Sequence, residues 1–266
     1  MTGRPGWPLA RVLAHRGGGA LAPENTLAGF RAASTAGCRG VEFDVMLNGS
    51  GSAVLIHDET LERTTDGRGA VAGATDDYLA GLDAGGWLDP RFAGERVPTF
   101  ADAARQCIVL GLGANVEIKP SAGAERDTGR VVARAAGELW ADAPDAPLLS
   151  SFSEAALEVA AEVAPQLPRG LLVGAVPADW LQRCRRLGVR GLHVDARCLD
   201  RSTVLAARAE GLWVVTYTVN DPSIARTLFD WGVDCVITDR PDLVRYVTDE
   251  PADAVRHPSP PPGRSS

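Results

Sequence analysis

Two short stretches place carboxylates where a buried sheet would otherwise carry apolar side chains. In "GVEFDVM" side chains alternate, so Val41, Phe43 and Val45 share one face while Glu42 and Asp44 share the other. "ANVEIKP" repeats the arrangement, with Val116 and Ile118 on one face and Glu117 and Lys119 on the other. If the apolar faces pack under helices, three carboxylates point inward or toward the catalytic mouth, where an unpaired charge is costly. A bound cation offsets that cost. Oxygen ligands with no cysteine pair nearby suit a hard divalent ion, Mg²⁺ or Ca²⁺, better than zinc. For either strand alone the plainer reading is a salt-bridged or solvated strand end.

His15 closes the first apolar run and His57 closes "AVLIH", two of only four histidines in the chain. Histidine titrates near neutrality, so one can take a proton from a nucleophile while the other gives one to a leaving group. The alternative for each is a satisfied structural residue. Arg16, followed by Gly17, Gly18 and Gly19, has the fork needed to bind phosphate oxygens in pairs. His193 in "GLHVDA" reads as core or pocket wall, and His257 sits in the tail. Other nucleophiles fit poorly: there is no G-x-S-x-G elbow, and Ser150, Ser151 and Ser153 read as a strand end and a helix cap. No H-E-x-x-H, Walker or zinc-finger pattern occurs.

The elements that must position these residues alternate along the chain. Strands are expected at 11–15, 41–45, 115–119, 147–151, 170–174, 191–195, 212–219 and 234–238, with helices at 26–36, 100–110, 126–139, 153–163, 178–187, 201–209 and 222–231. Eight such rounds in 266 residues predict an α/β fold of the (β/α)8 TIM-barrel type. An open doubly wound sheet is the alternative, but the glycines after the first strand lack the third member of a dinucleotide turn. One interval breaks the rhythm: residues 59–98, after the run ending at His57, are rich in turn residues and predict a small inserted subdomain. The expected organisation is one catalytic barrel over 1–250 and a disordered Pro- and Ser-rich tail over 251–266.

Bulk properties narrow the partners. At 45% hydrophobic and 23% charged, with no apolar run near the roughly 20 residues of a membrane span, a soluble protein without stable membrane association is expected. Pro5, Pro8 and Arg11 interrupt any secretory signal, and five scattered cysteines without a C-x-x-C pair suit a reducing cytoplasm. A net charge of −7 speaks against nucleic acid, so a phosphate-bearing substrate must find its positive charge locally. Oligomeric state is not legible.

In order along residues 11–244, the fragments "AHRG", "APENTLAGF", "GVEFDV", "AVLIHDETLERTTDGRG", "VEIK", "SSFS", "TYTVN" and "ITDRP" give a chain that resembles the glycerophosphodiester phosphodiesterases. The segment "LDAGGWLDPRFAGERVPTF" looks like that family's own insertion, which favours small glycerophosphodiesters over membrane lipids. The resemblance implies metal-dependent hydrolysis of substrates such as glycerophosphocholine and glycerophosphoethanolamine to glycerol 3-phosphate and an alcohol, through a cyclic phosphate. It places His15 and His57 on the catalytic histidines, Glu42, Asp44 and Glu117 on the metal ligands, and Arg16 and Lys119 on phosphate-contacting positions. Tyr217 stands where many members carry tryptophan; it offers an aromatic wall and a hydroxyl, and bears on headgroup preference. Glu24 and Asn25 match "PENT" and either orient the first loop or simply begin a helix capped by Asn25 or Thr26. The three glycines are expected to let the backbone pass close to substrate. The competing readings are a lysophospholipase D-like enzyme on lipids and a non-catalytic barrel that binds phosphate esters.

Overall fold

Among the described residues, runs rich in Val, Leu and Ile become nine strands: β1 (Val12–Ala14), β2 (Gly40–Leu47), β3 (Ala53–Leu55), β4 (Gly113–Ile118), β5 (Leu148–Ser151), β6 (Arg169–Val173), β7 (Gly191–Asp195), β8 (Trp213–Tyr217) and β9 (Cys235–Thr238). Eight are parallel, and β1 closes the ring by pairing with β9 on one side and β2 on the other, Ala14 lying opposite both Thr238 and Val41. The result is the expected (β/α)8 barrel. The computed structural model describes residues 6–248; the expected tail, with His257, lies outside them.

Helices α1 (Leu27–Thr35), α2 (Asp76–Gly81), α3 (Phe100–Leu110), α4 (Glu125–Leu139), α5 (Glu154–Val163), α6 (Trp180–Leu187), α7 (Arg201–Ala209), α8 (Pro222–Trp231) and α9 (Pro241–Val244) complete the order. Their starts are written locally: Thr26, Thr99, Ser153, Asp200 and Asp221 each accept a hydrogen bond from a backbone N–H in the first turn. Among the described residues no helix is long and apolar enough to cross a membrane.

The one strand that breaks the alternation is β3. It runs antiparallel to β2, Val45 opposite Leu55 and Leu47 opposite Ala53, so the chain rises past the rim on β2 and returns toward it. His57 follows that return. Residues 59–98 then hold α2 and several single turns, and their apolar side chains, Leu61, Val71, Leu79 and Leu82 among them, gather with Met46, Val54 and Ile56 in a cluster separate from the barrel's main ones. Among the ties that bind this segment back, Glu95 accepts from the Ala28 N–H and pairs with Arg31 on α1, Arg63 pairs with Glu24, and Asp76 accepts from Asn48 and Ser52.

Candidate active site

Strand register brings the acidic residues together. Val41, Phe43 and Val45 are fully buried against the helices, which turns Glu42 and Asp44 inward. Asp44 lies directly opposite Glu117 across the β2–β4 ladder. One oxygen from each of Glu42, Asp44 and Glu117 lies within 4.8 Å of the others.

Their partners differ, and so do their proton affinities. Burial pushes all three carboxyls up, and for Glu42 and Glu117 the neighbouring Asp44 charge adds to it, taking them to about 7 and about 8. In Asp44 the charges of Lys119, His57 and Arg16, with a hydrogen bond from Asn25, overcome burial and hold it below the ordinary range. Lys119 Nζ stands 3.1 Å from Asp44 and 3.4 Å from Glu117, and those two carboxylates outweigh burial to raise its own affinity. Glu42 accepts from the Arg16 N–H at 3.0 Å. The cluster thus holds three acids against one close ammonium.

His15 and His57 are each held by a carboxylate. His15 Nδ1 lies 2.7 Å from Asp239 and its Nε2 3.9 Å from Glu42. Burial alone would pull its pKa down, but the Asp239 hydrogen bond and the Glu42 charge raise it above 6.5. His57 Nδ1 lies 2.7 Å from Asp58, yet there burial wins over Asp44 and Asp58 and the pKa is lowered. Both carboxylates lie beyond the set anticipated from sequence. Asp58 was signalled by adjacency to His57. Asp239, in "ITDRP", follows from closure: with Ala14 opposite Thr238, the residues after β1 and β9 must meet.

"PENT" performs both of its alternative roles. Thr26 caps α1, its hydroxyl accepting from the Gly29 N–H. Asn25, at φ 55°, donates to Asp44 at 2.9 Å and accepts from the Asp44 N–H, while Glu24 accepts from Arg16 at 2.8 Å. Arg16 itself sits at φ 49°. Positive φ at two adjacent-in-space residues other than glycine is strain stored where the acids are positioned. The glycines are also required by protein neighbours: a Cβ on Gly17 would strike Phe30 at 2.4 Å, on Gly18 the Gly29 backbone at 2.7 Å, and on Gly19 the Asp239 carbonyl at 2.4 Å. They permit tight packing of the loop on α1 and β9, so their need is met by protein neighbours.

A cavity of about 460 Å³ opens over this cluster, lined by His15, Arg16, Asp44, His57, Glu117 and Lys119 on one side. The other wall carries Phe152, Tyr217, Asp195 and Arg197. Tyr217 supplies the aromatic wall, edge-on to Phe152 at 6.2 Å, but its hydroxyl already donates to the Val173 carbonyl at 2.9 Å. His193 resolves to core: it is fully buried, it fills the space left by Gly170 and Gly191, and burial drives its pKa to about 3.

Comparison with known proteins places this geometry in context. The family model described as the glycerophosphoryl diester phosphodiesterase family matches residues 15–243. A glycerophosphodiester phosphodiesterase of Caldanaerobacter subterraneus is 32% identical over 233 residues, 88% of this chain and 95% of that one. Among solved structures, an Oleispira antarctica phosphodiesterase in complex with the product sn-glycerol-3-phosphate is 38% identical, with a TM-score of 0.85 over 91% of this chain and 98% of that one. A glycerophosphodiester phosphodiesterase from Thermotoga maritima is 28% identical, with a TM-score of 0.70 over 90% and 98%.

Proposed function

Since the chain belongs to the glycerophosphoryl diester phosphodiesterase family and is a phosphoric diester hydrolase, we propose that it cleaves small glycerophosphodiesters, such as glycerophosphocholine and glycerophosphoethanolamine, to glycerol 3-phosphate and the free alcohol. The observation that carries this reading is the meeting, around one cavity, of two carboxylate-held histidines, Arg16, Lys119 and a cluster of three mutually close buried acids, of which Asp44 and Glu117 line the cavity and Glu42 lies behind them. Catalysis belongs to a single barrel with 59–98 as an inserted subdomain, and free, unpaired cysteines favour a cytoplasmic setting.

Glu42, Asp44 and Glu117 fit a hard divalent cation, Mg²⁺ or Ca²⁺: all donors are oxygen, and two carboxyls are pushed toward protonation unless positive charge arrives. When bound, such an ion supplies Lewis acidity, lowering the pKa of a glycerol hydroxyl and offsetting phosphate charge. Arg16 and Lys119 face the phosphate oxygens and stabilise the negative charge that grows on them. Asp239 and Asp58 each fix Nδ1 of their histidine as the protonated nitrogen, leaving Nε2 for proton exchange. One histidine takes the hydroxyl proton as the glycerol oxygen bonds to phosphorus. The other donates a proton to the departing alcohol oxygen as its P–O bond breaks. Water then opens the cyclic phosphate with the two roles exchanged. Phe152 and Tyr217 form the apolar wall against which the organic part of the substrate rests.

The test is release of glycerol 3-phosphate from both named substrates by metal-stripped protein, with Mg²⁺, Ca²⁺ or chelator added. Metal-restored release is expected. No release by folded protein with either ion sinks the reading, and sedimentation with liposomes then asks whether a lipid is the substrate.

A further inference from the structure

We infer that Arg63, on the inserted segment, is a positioning residue that locks Arg16 and His57 into a single geometry through a shared pair of carboxylates. The inference rests on the roles proposed above for those two side chains. Arg63 spends its fork on Glu24 and Asp58 together: Nη1 and Nη2 donate to the two Glu24 oxygens at 2.7 and 2.8 Å, and Nε and Nη2 donate to the two Asp58 oxygens at 2.5 and 3.0 Å. Nη2 bridges the two carboxylates, and the oxygens it touches are the ones that hold the reactive side chains. Glu24 Oε1 also accepts from Arg16 Nη1 at 2.8 Å, and Asp58 Oδ1 also pairs with His57 Nδ1 at 2.7 Å. The line Arg16–Glu24–Arg63–Asp58–His57 is continuous.

Arg63 does not line the cavity, whereas Arg16 and His57 do, so it acts through them rather than on substrate. Its charge is needed where it lies. Glu24 and Asp58 converge on one another, and without the guanidinium each would turn from its partner to relieve the repulsion. Stability alone is a poor account of the group: its side chain is 43% exposed, and ion pairs that water reaches contribute little. Only a planar fork can serve four acceptors at fixed angles, so lysine is not an equivalent. Loss of such a support displaces the reacting groups, and displacement of about 1 Å lowers rates on the order of 100-fold.

The test compares Arg63→Met and Arg63→Lys with the wild-type protein, and combines Arg63→Met with Glu24→Gln and with Asp58→Asn. Arg63→Met is expected to raise KM through the Arg16 arm and lower kcat through the His57 arm, for a combined loss in kcat/KM of about 10- to 100-fold; Arg63→Lys recovers only part. Glu24→Gln is expected to move mainly KM and Asp58→Asn mainly kcat, and each double variant to add little to the losses of Arg63→Met alone. Both kinetic parameters within twofold of wild type in a variant that merely melts earlier would reduce Arg63 to a brace, and additive double variants would break the relay. The ¹⁵N shifts of the His57 imidazole supply a readout independent of substrate. If the wild-type protein turns over no glycerophosphodiester, the proposed function falls; His57 shifts that still move in Arg63→Met keep the clamp, and shifts that stay put remove it.

Discussion

The half of the barrel formed by β1, β2 and β4 buries three carboxylates and braces them from behind with aromatic rings: Phe30 on Phe43 at 5.2 Å, Phe43 on Phe100 at 6.2 Å, Phe100 on Trp140 at 5.9 Å. The half formed by β6 to β9 is mainly aliphatic, with Val215 and Ile237 inside and Leu192, Val194 and Val214 under the helices; His193 in the core and Asp195 and Tyr217 at the cavity are the exceptions on its inward face. One histidine from each half makes the contrast quantitative. His15 has Asp239 and Glu42 beside it and binds its proton more tightly than usual, while His193 sits among glycine backbones and is driven to about 3. Burial is common to both. Partners decide which can exchange a proton near neutrality, and His15 draws its own from both sides of the closing seam, Glu42 from β2 and Asp239 from the end of β9.

The largest effect should come from removing His15 or His57, the two side chains proposed to carry protons. His15→Ala or His57→Ala is expected to lower turnover about 10²- to 10⁴-fold while the circular dichroism spectrum stays that of wild type. His193→Ala should keep turnover of the wild-type order, whatever it does to melting. Near-normal release of glycerol 3-phosphate by metal-loaded His15→Ala protein would erase the distinction between the halves.

A second prediction sharpens it through pH. Glu42 and Glu117 ionise near 4.5 when unfolded but at about 7 and about 8 in the folded, cation-free protein. The unfolded chain therefore gives up these protons first, so stability from these groups is full below 4.5 and is lost as pH rises through 7 to 8. His15, also raised, adds in the same direction, while His57, lowered, opposes it. Asp44 is depressed, so its contribution is lost only on acidification, outside this window. Chelated protein should melt lower at pH 8 than at pH 5.5, by roughly 5 °C. Added Mg²⁺ or Ca²⁺ should raise the melting temperature more at pH 8 than at pH 5.5, with proton release visible by calorimetry in buffers of different ionisation enthalpy. A cation effect that is equal at both pH values would remove Glu42 and Glu117 from the metal site.

Much of this half was legible from sequence because alternation is a local signal. "GVEFDVM" and "ANVEIKP" announce which side chains face inward, and β2 and β4 turn them as the pattern requires. The repeating strands and helices likewise declared a barrel, since each β-branched run and each capped helix is encoded within a dozen residues. What escaped depends on contacts distant in sequence or on chain direction. Asp239 reaches His15 across 224 positions, and only the closing β1–β9 register brings them together. The antiparallel return of β3 leaves no mark in composition, because a run of three apolar residues carries no signal of strand direction. In the Gly17–Gly19 run the need for small residues is plain from sequence, but which protein groups press on the Cβ side is a tertiary fact: Phe30, Gly29 and Asp239.

The smallest effect belongs to the quieter wall. Tyr217 extends from β8 across the cavity to β6, where its hydroxyl donates to the Val173 carbonyl, so the hydroxyl acts on the protein while the ring acts on the cavity. Tyr217→Phe removes one partly buried hydrogen bond, worth about 0.5–1.5 kcal/mol, and leaves the edge-on contact with Phe152 in place. Melting should fall by about 2–6 °C, and kcat/KM for glycerophosphocholine should change by less than about threefold, an amount equivalent to 0.65 kcal/mol or less. Tyr217→Ala should cost more activity than Tyr217→Phe, because it takes away the surface as well as the anchor. If Tyr217→Phe instead loses tenfold or more in kcat/KM with an unchanged melting temperature, the hydroxyl must leave Val173 for the substrate during turnover. The aliphatic half would then share in recognition, and headgroup preference would be set by a polar contact on β8 in addition to the charges on β1, β2 and β4.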